Sequence, residues 1–220
     1  MKWALEDGQR VEATPGLEAW CPGCGEDVVA KCGELTAWHW AHRTRDCDPW
    51  YEPDSNWHLG WKAQFPKEEQ EVGVRGHRAD ILTKAGMVVE LQAKTINEGL
   101  IKEREDHYGH KNMVWLVNAL KFDIRHQAGA TTTEPSIPWV VEFEWVRPRK
   151  AWFAARAPVY FDLGTSLEFA CRASHVLEVR EWKKPSLRPL RGQGSFMSID
   201  RFVLDVRDEE ILTRKGRIKT

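Results

Sequence analysis

Residues 78–94, RADILTKAGMVVELQAK, constrain this chain more than any other stretch, because they set acids into a run that otherwise reads as buried strand. Ile81 and Leu82 on one side of Lys84-Ala85-Gly86, and Val88, Val89 and Leu91 on the other, predict two short strands around a turn. A three-residue loop over 84–86 sets Asp80 opposite Glu90. Opposed residues have Cβ atoms roughly 4.5–5.5 Å apart, and like charges there repel unless a cation or proton lies between them. Alternation along the second strand projects Glu90, Gln92 and Lys94 from one face. Asp80, Glu90 and Gln92, with Lys94 beside them, form an oxygen-rich cluster suited to Mg²⁺ or Mn²⁺. The same spacing also fits solvated carboxylates on an open hairpin face.

The flanking pattern predicts a helix over residues 55–65, opened by Asp54 or Ser55 as cap, then a strand near 71–74. Thr95-x-x-Glu98 has the form of a capping box opening a helix to about residue 108. A buried strand over 113–117 follows. The order is α-β-β-β-α-β, with the crossover helix joining the last two strands in parallel. On the first helix His58 and Lys62, four apart, share a face, as do Trp57 and Trp61 on the adjacent one. Arg104 and Tyr108 do the same on the second. Glu52, just before the first helix, is a further acidic candidate.

Upstream lies CPGCGEDVVAKCGELTAWHWAHRTRDC, residues 21–47, after a first hairpin around Asp7-Gly8. A Cys-Pro-x-Cys knuckle directs two thiolates at one metal, and His39, His42 and Cys47 offer the second pair of ligands. Three thiolates bind zinc firmly and His42 lies nearer Cys47, which favours Cys21, Cys24, His42 and Cys47. Cys32 reads as a spectator. Four protein ligands leave no open position for water, so the zinc is structural. Trp38, Trp40, Trp50, Trp57 and Trp61 crowd the same region, more as packing than as base-stacking groups.

Five cysteines, four of them within 21–47, indicate metal binding in a reducing compartment rather than a disulfide framework. The chain has no run near the ~18 apolar residues of a membrane span and starts without a secretory core, so the expectation is cytoplasmic and off the membrane. Net charge is −1, but it is uneven: residues 147–220 carry 16 Lys/Arg against 9 Asp/Glu, the remainder 16 against 24. An acidic half followed by a basic tail suits a metal-dependent enzyme with a phosphate-attracting extension. Residues 129–138 read as a loop. Residues 139–146 read as a strand with Val141, Phe143 and Trp145 on one face. RPRKAWFAAR (147–156) and EWKKPSLRPLR (181–191) mix cations with tryptophan as single-strand binders do.

Taken together, CPGCG (21–25), HWAH (39–42), Cys47, His58 with Lys62, HRAD (77–80), ELQ (90–92), Arg104 with Tyr108 and VWLV (114–117) resemble the competence protein CoiA-like nuclease family of the PD-(D/E)XK superfamily. The resemblance covers about residues 1–118. With the charge distribution, it gives an expected α/β (α+β) chain in three parts: a zinc-binding β module (1–50), an α-β-β-β-α-β nuclease core of the PD-(D/E)XK type (51–146), and, from composition alone, a basic, Trp-containing extension (147–220). It implies metal-dependent DNA cleavage in DNA processing or recombination, with Asp80, Glu90 and Gln92 at the catalytic positions. Lys62 would contact phosphate and His58 would relay protons or orient water. Its HxAH motif keeps His39 among the candidate zinc ligands. Gln92 stands where the superfamily has lysine, so Lys94 or Lys62 would supply the cation, or the chain would be a catalytically weak DNA-binding accessory. The DNA partner is single-stranded, duplex or branched, alongside a homo-oligomer or recombination partner proteins.

Overall fold

The computed structural model describes residues 1–35, 37–44, 47–128, 139–164, 176–183, 190–209 and 212. It divides into two units, Met1–Leu82 and Thr83–Thr220.

In the first unit β1 (Trp3–Glu6) and β2 (Gln9–Glu12) form the expected hairpin, turned by Asp7 and Gly8 at φ 47° and 76°. Positive φ at both central residues matches the twist of a two-residue hairpin. β3 (Ala19–Trp20), β4 (Asp27–Lys31) and β5 (His39–His42) complete an antiparallel sheet of order β2-β1-β3-β4-β5. Its core is mostly small: Ala4, Ala13, Ala19, Cys21 and Val28 around Met1 and a fully buried Trp40, whose indole N–H donates to Val11 O at 3.0 Å.

Helix α1 (Asn56–Lys62) is capped by Ser55. It is shorter than expected, and residues 63–65 leave it in a turn before a 3₁₀ segment, Lys67–Glu69. β6 (Gln70–Val74) and β7 (His77–Leu82) then pair antiparallel, with Gln70 facing Ile81 and Val72 facing Ala79.

The second unit opens with the turn over 84–86. Thr83 N donates to Met87 O and Gly86 lies at φ 78°, so the loop has the expected three residues. β8 (Val88–Gln92) is buried along its whole length and pairs in parallel with β9 (Met113–Asn118) across helix α2 (Glu98–Tyr108). The element order α-β-β-β-α-β is therefore present. The α2 cap differs from the Thr95 box: Asn97 Oδ1 accepts from Leu100 N at 2.9 Å. Asn caps as well as Thr, and this start sets buried Ile96 and Ile101 at the two positions of a hydrophobic staple.

β10 (Ile124–Ala128), β11 (Trp139–Trp145), β12 (Val159–Asp162), β13 (Val176–Lys183) and β14 (Leu190–Met197) follow, with helix α3 (Ile199–Arg207) after them. The strand order within this unit is β10-β11-β14-β13-β12-β9-β8. Val141, Phe143 and Trp145 are buried on one face of β11 as expected. The expected loop 129–138 lies outside the described residues.

Among the described residues after 147, β12 lies parallel to β9, with Val159 opposite Trp115, and so takes a place inside the sheet. The stacking candidates are packed as well. Trp152 is buried and meets Trp115 edge-on, and Trp182 lies among Phe143, Trp145, Phe153 and Phe161. Aromatic burial outweighs a surface role here, because each such ring removes a large apolar area from water. No helix among the described residues is long and apolar enough to cross a membrane.

Candidate functional site

The metal centre arises where β3 and β5 end. Cys21 N donates to Glu26 O and Gly25 N to Cys21 O, closing a tight knuckle with Gly25 at φ 75°. Gly23 N points at Cys21 Sγ, 3.3 Å away. β5 delivers His42, and Cys47 follows. The ligand atoms of Cys21, Cys24, His42 and Cys47 all lie within 4.8 Å of one another. Thiolates about 2.3 Å from a tetrahedral zinc are about 3.8 Å apart, and Cys21 Sγ and Cys47 Sγ are separated by 3.8 Å. Cys24 Sγ stands 3.3 Å from His42 Nε2.

Burial, together with the neighbouring Cys21 and Cys24 sulfurs, pushes the Cys47 thiol up to about 12. A cation bound among these sulfurs would favour the Cys47 thiolate instead. The donor set and spacing fit a metal such as zinc. His39 is not among the four: its Nδ1 lies 2.9 Å from Ala37 O. Residues 39 and 42 are an odd number apart on an extended strand and face opposite sides. Cys32 packs half-buried against the module core.

The residue after Cys47 ties this centre to β7. Asp48 is buried; its Oδ1 lies 2.9 Å from His77 Nδ1 and accepts from Trp50 N, and its Oδ2 accepts from Arg78 N at 2.7 Å. Burial works against ionisation, but His77 and the two amides outweigh it and hold the Asp48 carboxyl below its ordinary range. The Trp50 ring stacks on His77 with centroids 3.3 Å apart.

A second cluster gathers on α1, β6 and β7. Lys62 Nζ lies 2.6 Å from Asp54 Oδ1, 2.9 Å from Glu71 Oε1 and 3.4 Å from Asp80 Oδ1. The Lys62 side chain is 3 % exposed, Glu71 2 % and Asp54 9 %, whereas Asp80 is 24 % exposed. Burial alone would lower the lysine pKa, but Glu71, Asp80 and Asp54 outweigh it and raise it above the ordinary value. Burial likewise opposes ionisation of Glu71, and Lys62 first among its neighbours overcomes it, so this carboxyl lies well below its usual range. Asp54 goes the other way: burial and the nearby Glu71 and Asp80 prevail over Lys62 and raise it. Both oxygens of Glu71 also accept from Lys2 N, at 2.9 and 2.8 Å, and Oε2 from Trp3 N at 3.2 Å. Its backbone stands at φ 48°.

His58 is buried, and its ring takes part in the cap of α1. Ser55 N–H donates to Nδ1 at 3.2 Å, and Ser55 Oγ lies 2.9 Å away. A backbone N–H only donates, so Nδ1 is an acceptor and Nε2 carries the ring proton.

In the second unit Arg104 Nη1 donates to Glu90 Oε2 at 2.8 Å, both side chains being buried. Gln92 Nε2 donates to Lys94 O at 3.2 Å. β8 ends at Gln92, so the alternation that placed Lys94 beside Glu90 stops short, and Lys94 is exposed in a bend. Tyr108 is buried with Arg104 on the inner side of α2. Asp80 falls in the first unit and Glu90 and Gln92 in the second, on either side of the turn.

Sequence reasoning missed Asp48, Asp54 and Glu71 as site components. Asp54 was visible only as a cap, and Glu71 only as a strand residue. The sequence offers little signal for Glu71, which follows Glu68, Glu69 and Gln70 at the start of β6.

Residues 18–49, which include all four metal-centre ligands, match the family model of the competence protein CoiA, N-terminal domain. No curated protein and no solved structure matches the chain. The match supports a CoiA-like chain and links it to competence-related proteins.

Proposed function

We propose that this protein is a divalent-metal-dependent DNA nuclease of the PD-(D/E)XK type, stabilised by a structural zinc and acting in DNA processing or recombination in the cytoplasm. The observation that carries this reading is the Lys62–Asp80 pair on α1 and β7, in a chain whose elements run α-β-β-β-α-β. Asp80 and Glu90 would hold Mg²⁺ or Mn²⁺. Arg104 engages one oxygen of Glu90, and a carboxylate has further acceptor positions. The cation would neutralise charge on the scissile phosphate and activate a water. Lys62 keeps its proton and acts as a fixed charge rather than as a base. His58 presents a proton at Nε2, Gln92 an orienting amide, and Arg104 holds Glu90 in place. Incubation with single-stranded, duplex and branched DNA, with and without Mg²⁺ or Mn²⁺, tests the reading: metal-dependent cleavage lost in Asp80→Ala and Glu90→Ala is expected. Robust cleavage by Asp80→Ala would place the activity elsewhere.

One observation favours a second reading. Gln92 carries no charge where lysine is usual, and its amide is tied to Lys94 O. A zinc-containing DNA-binding accessory without cleavage needs no cation there. Wild-type protein that binds DNA but never cuts it, whichever divalent metal is supplied, would select this reading.

A further inference from the structure

Of the cations near the candidate acids, Lys94 is exposed beyond the end of β8, whereas Lys62 is enclosed. An ammonium has three N–H groups, and three carboxylates stand within 3.4 Å of Lys62 Nζ. The three are not equivalent. Asp54 and Glu71 make the short, buried contacts, and Asp80 makes the longest one with the most exposed side chain. Glu71 is held on its other side by two backbone amides and stands in the left-handed region at φ 48°. A non-glycine residue in that region costs free energy and persists only where its surroundings over-determine it; such residues concentrate at functional sites. Asp54 Oδ2 is buried without a hydrogen-bond partner among the described residues, a further cost accepted at the same cluster.

We propose that Asp54 and Glu71 are positioning residues that clamp the Lys62 ammonium beside Asp80, so that helix α1 supplies to a DNA phosphate the positive charge that Gln92 does not carry. This deepens the nuclease reading and rests on it. The two buried arms fix Nζ. The third N–H, aimed at partly exposed Asp80, is the exchangeable one and can pass to a phosphate oxygen. Asp80 makes the longest of the three contacts and has the most exposed side chain, so it is the arm best placed to meet a divalent cation while Lys62 stays in place. An ammonium preorganised this way stabilises developing charge without reorganising.

The test uses the full chain with zinc retained, comparing Lys62→Met, Lys62→Arg and the double variant Lys62→Met with Glu71→Gln. Cleavage of single-stranded and duplex DNA, melting temperature, and the Mn²⁺ concentration that half-saturates the melting shift are measured. Lys62→Met is expected to lower kcat about 100-fold, with Lys62→Arg recovering part of it. Its Mn²⁺ half-saturation should fall, because the competing ammonium is gone from Asp80. The double variant removes one charge of each sign, so it should melt near wild type yet cleave no better than Lys62→Met. Cleavage that returns along with the melting temperature would make the cluster merely structural and overturn the proposal, as would wild-type rates in Lys62→Met. If neither Met variant folds, Asp54→Asn decides: a loss of about tenfold in rate without loss of melting temperature is expected, and an unchanged rate overturns it. Wild type that never cuts DNA, whichever divalent metal is supplied, defeats the nuclease reading and this inference with it; active wild type beside an unimpaired Lys62→Met defeats the inference alone.

Discussion

Glu71 and Lys62 make the first unit's stability depend on pH in a defined direction. The folded Glu71 carboxyl lies below its ordinary value of 4.5, so its contribution is complete above pH 4.5 and is lost as the pH falls toward the folded value. Glu71→Gln should therefore lose less stability than wild type below pH 4.5, read by denaturant melts across the acid range. Asp54 opposes this trend, because its raised value means the folded state keeps that proton longer. Lys62 contributes on the alkaline side, fully below its ordinary 10.5 and lost only above its raised folded value. Removing the ammonium alone, in Lys62→Met, strands three carboxylates and should cost about 3–5 kcal/mol in the same melts. Single residues were legible in the sequence where local spacing decides their place. Cys21 and Cys24 share a knuckle, and His58 and Lys62 share a helix face. Asp48, Asp54 and Glu71 were not, because what buries and pairs them comes from β1, α1 and β7, set by long-range packing that periodicity does not encode.

The elements of the zinc module have little apolar volume of their own. Five of the buried residues in that core are alanine, cysteine or valine side chains, and only Trp40 and Met1 are large. A metal bound by Cys21, Cys24, His42 and Cys47 would therefore supply much of what holds β3, β4 and β5 together. His42→Ala and Cys24→Ser should release the metal and unfold this sheet, whereas His39→Ala should keep one zinc per chain. Elemental analysis of the soluble variants separates the two histidines. Equal zinc loss in both would contradict the strand-face assignment. Strands rich in β-branched residues, such as β8 and β9, were readable from their composition. β14, LRGQGSFM, was not, since glycine is depleted from strands. The structure explains its glycines: a Cβ on Gly194 would come within 2.5 Å of Glu178 O. Gly194→Ala should destabilise the second unit by about 1–3 kcal/mol, measured by thermal unfolding.

At the scale of the molecule, the chain divides into two units at Leu82. Asp48 links the end of the zinc module to β7 through His77 and Arg78. Beyond the composition shift near 147, β12 pairs with β9, whose Trp115, Leu116 and Val117 are fully buried. A chain truncated after residue 146 should expose that edge and aggregate, as light scattering would reveal; a soluble, cooperatively melting product would count against the arrangement. The contact between Glu71 and β1 carries a last consequence, for sequence drift. The carboxylate is gripped by the main-chain N–H groups of Lys2 and Trp3, not by their side chains. Position 71 should therefore resist replacement in a saturation mutagenesis screen, while position 2 tolerates nearly every residue. Proline is the exception there, since it alone removes the donor.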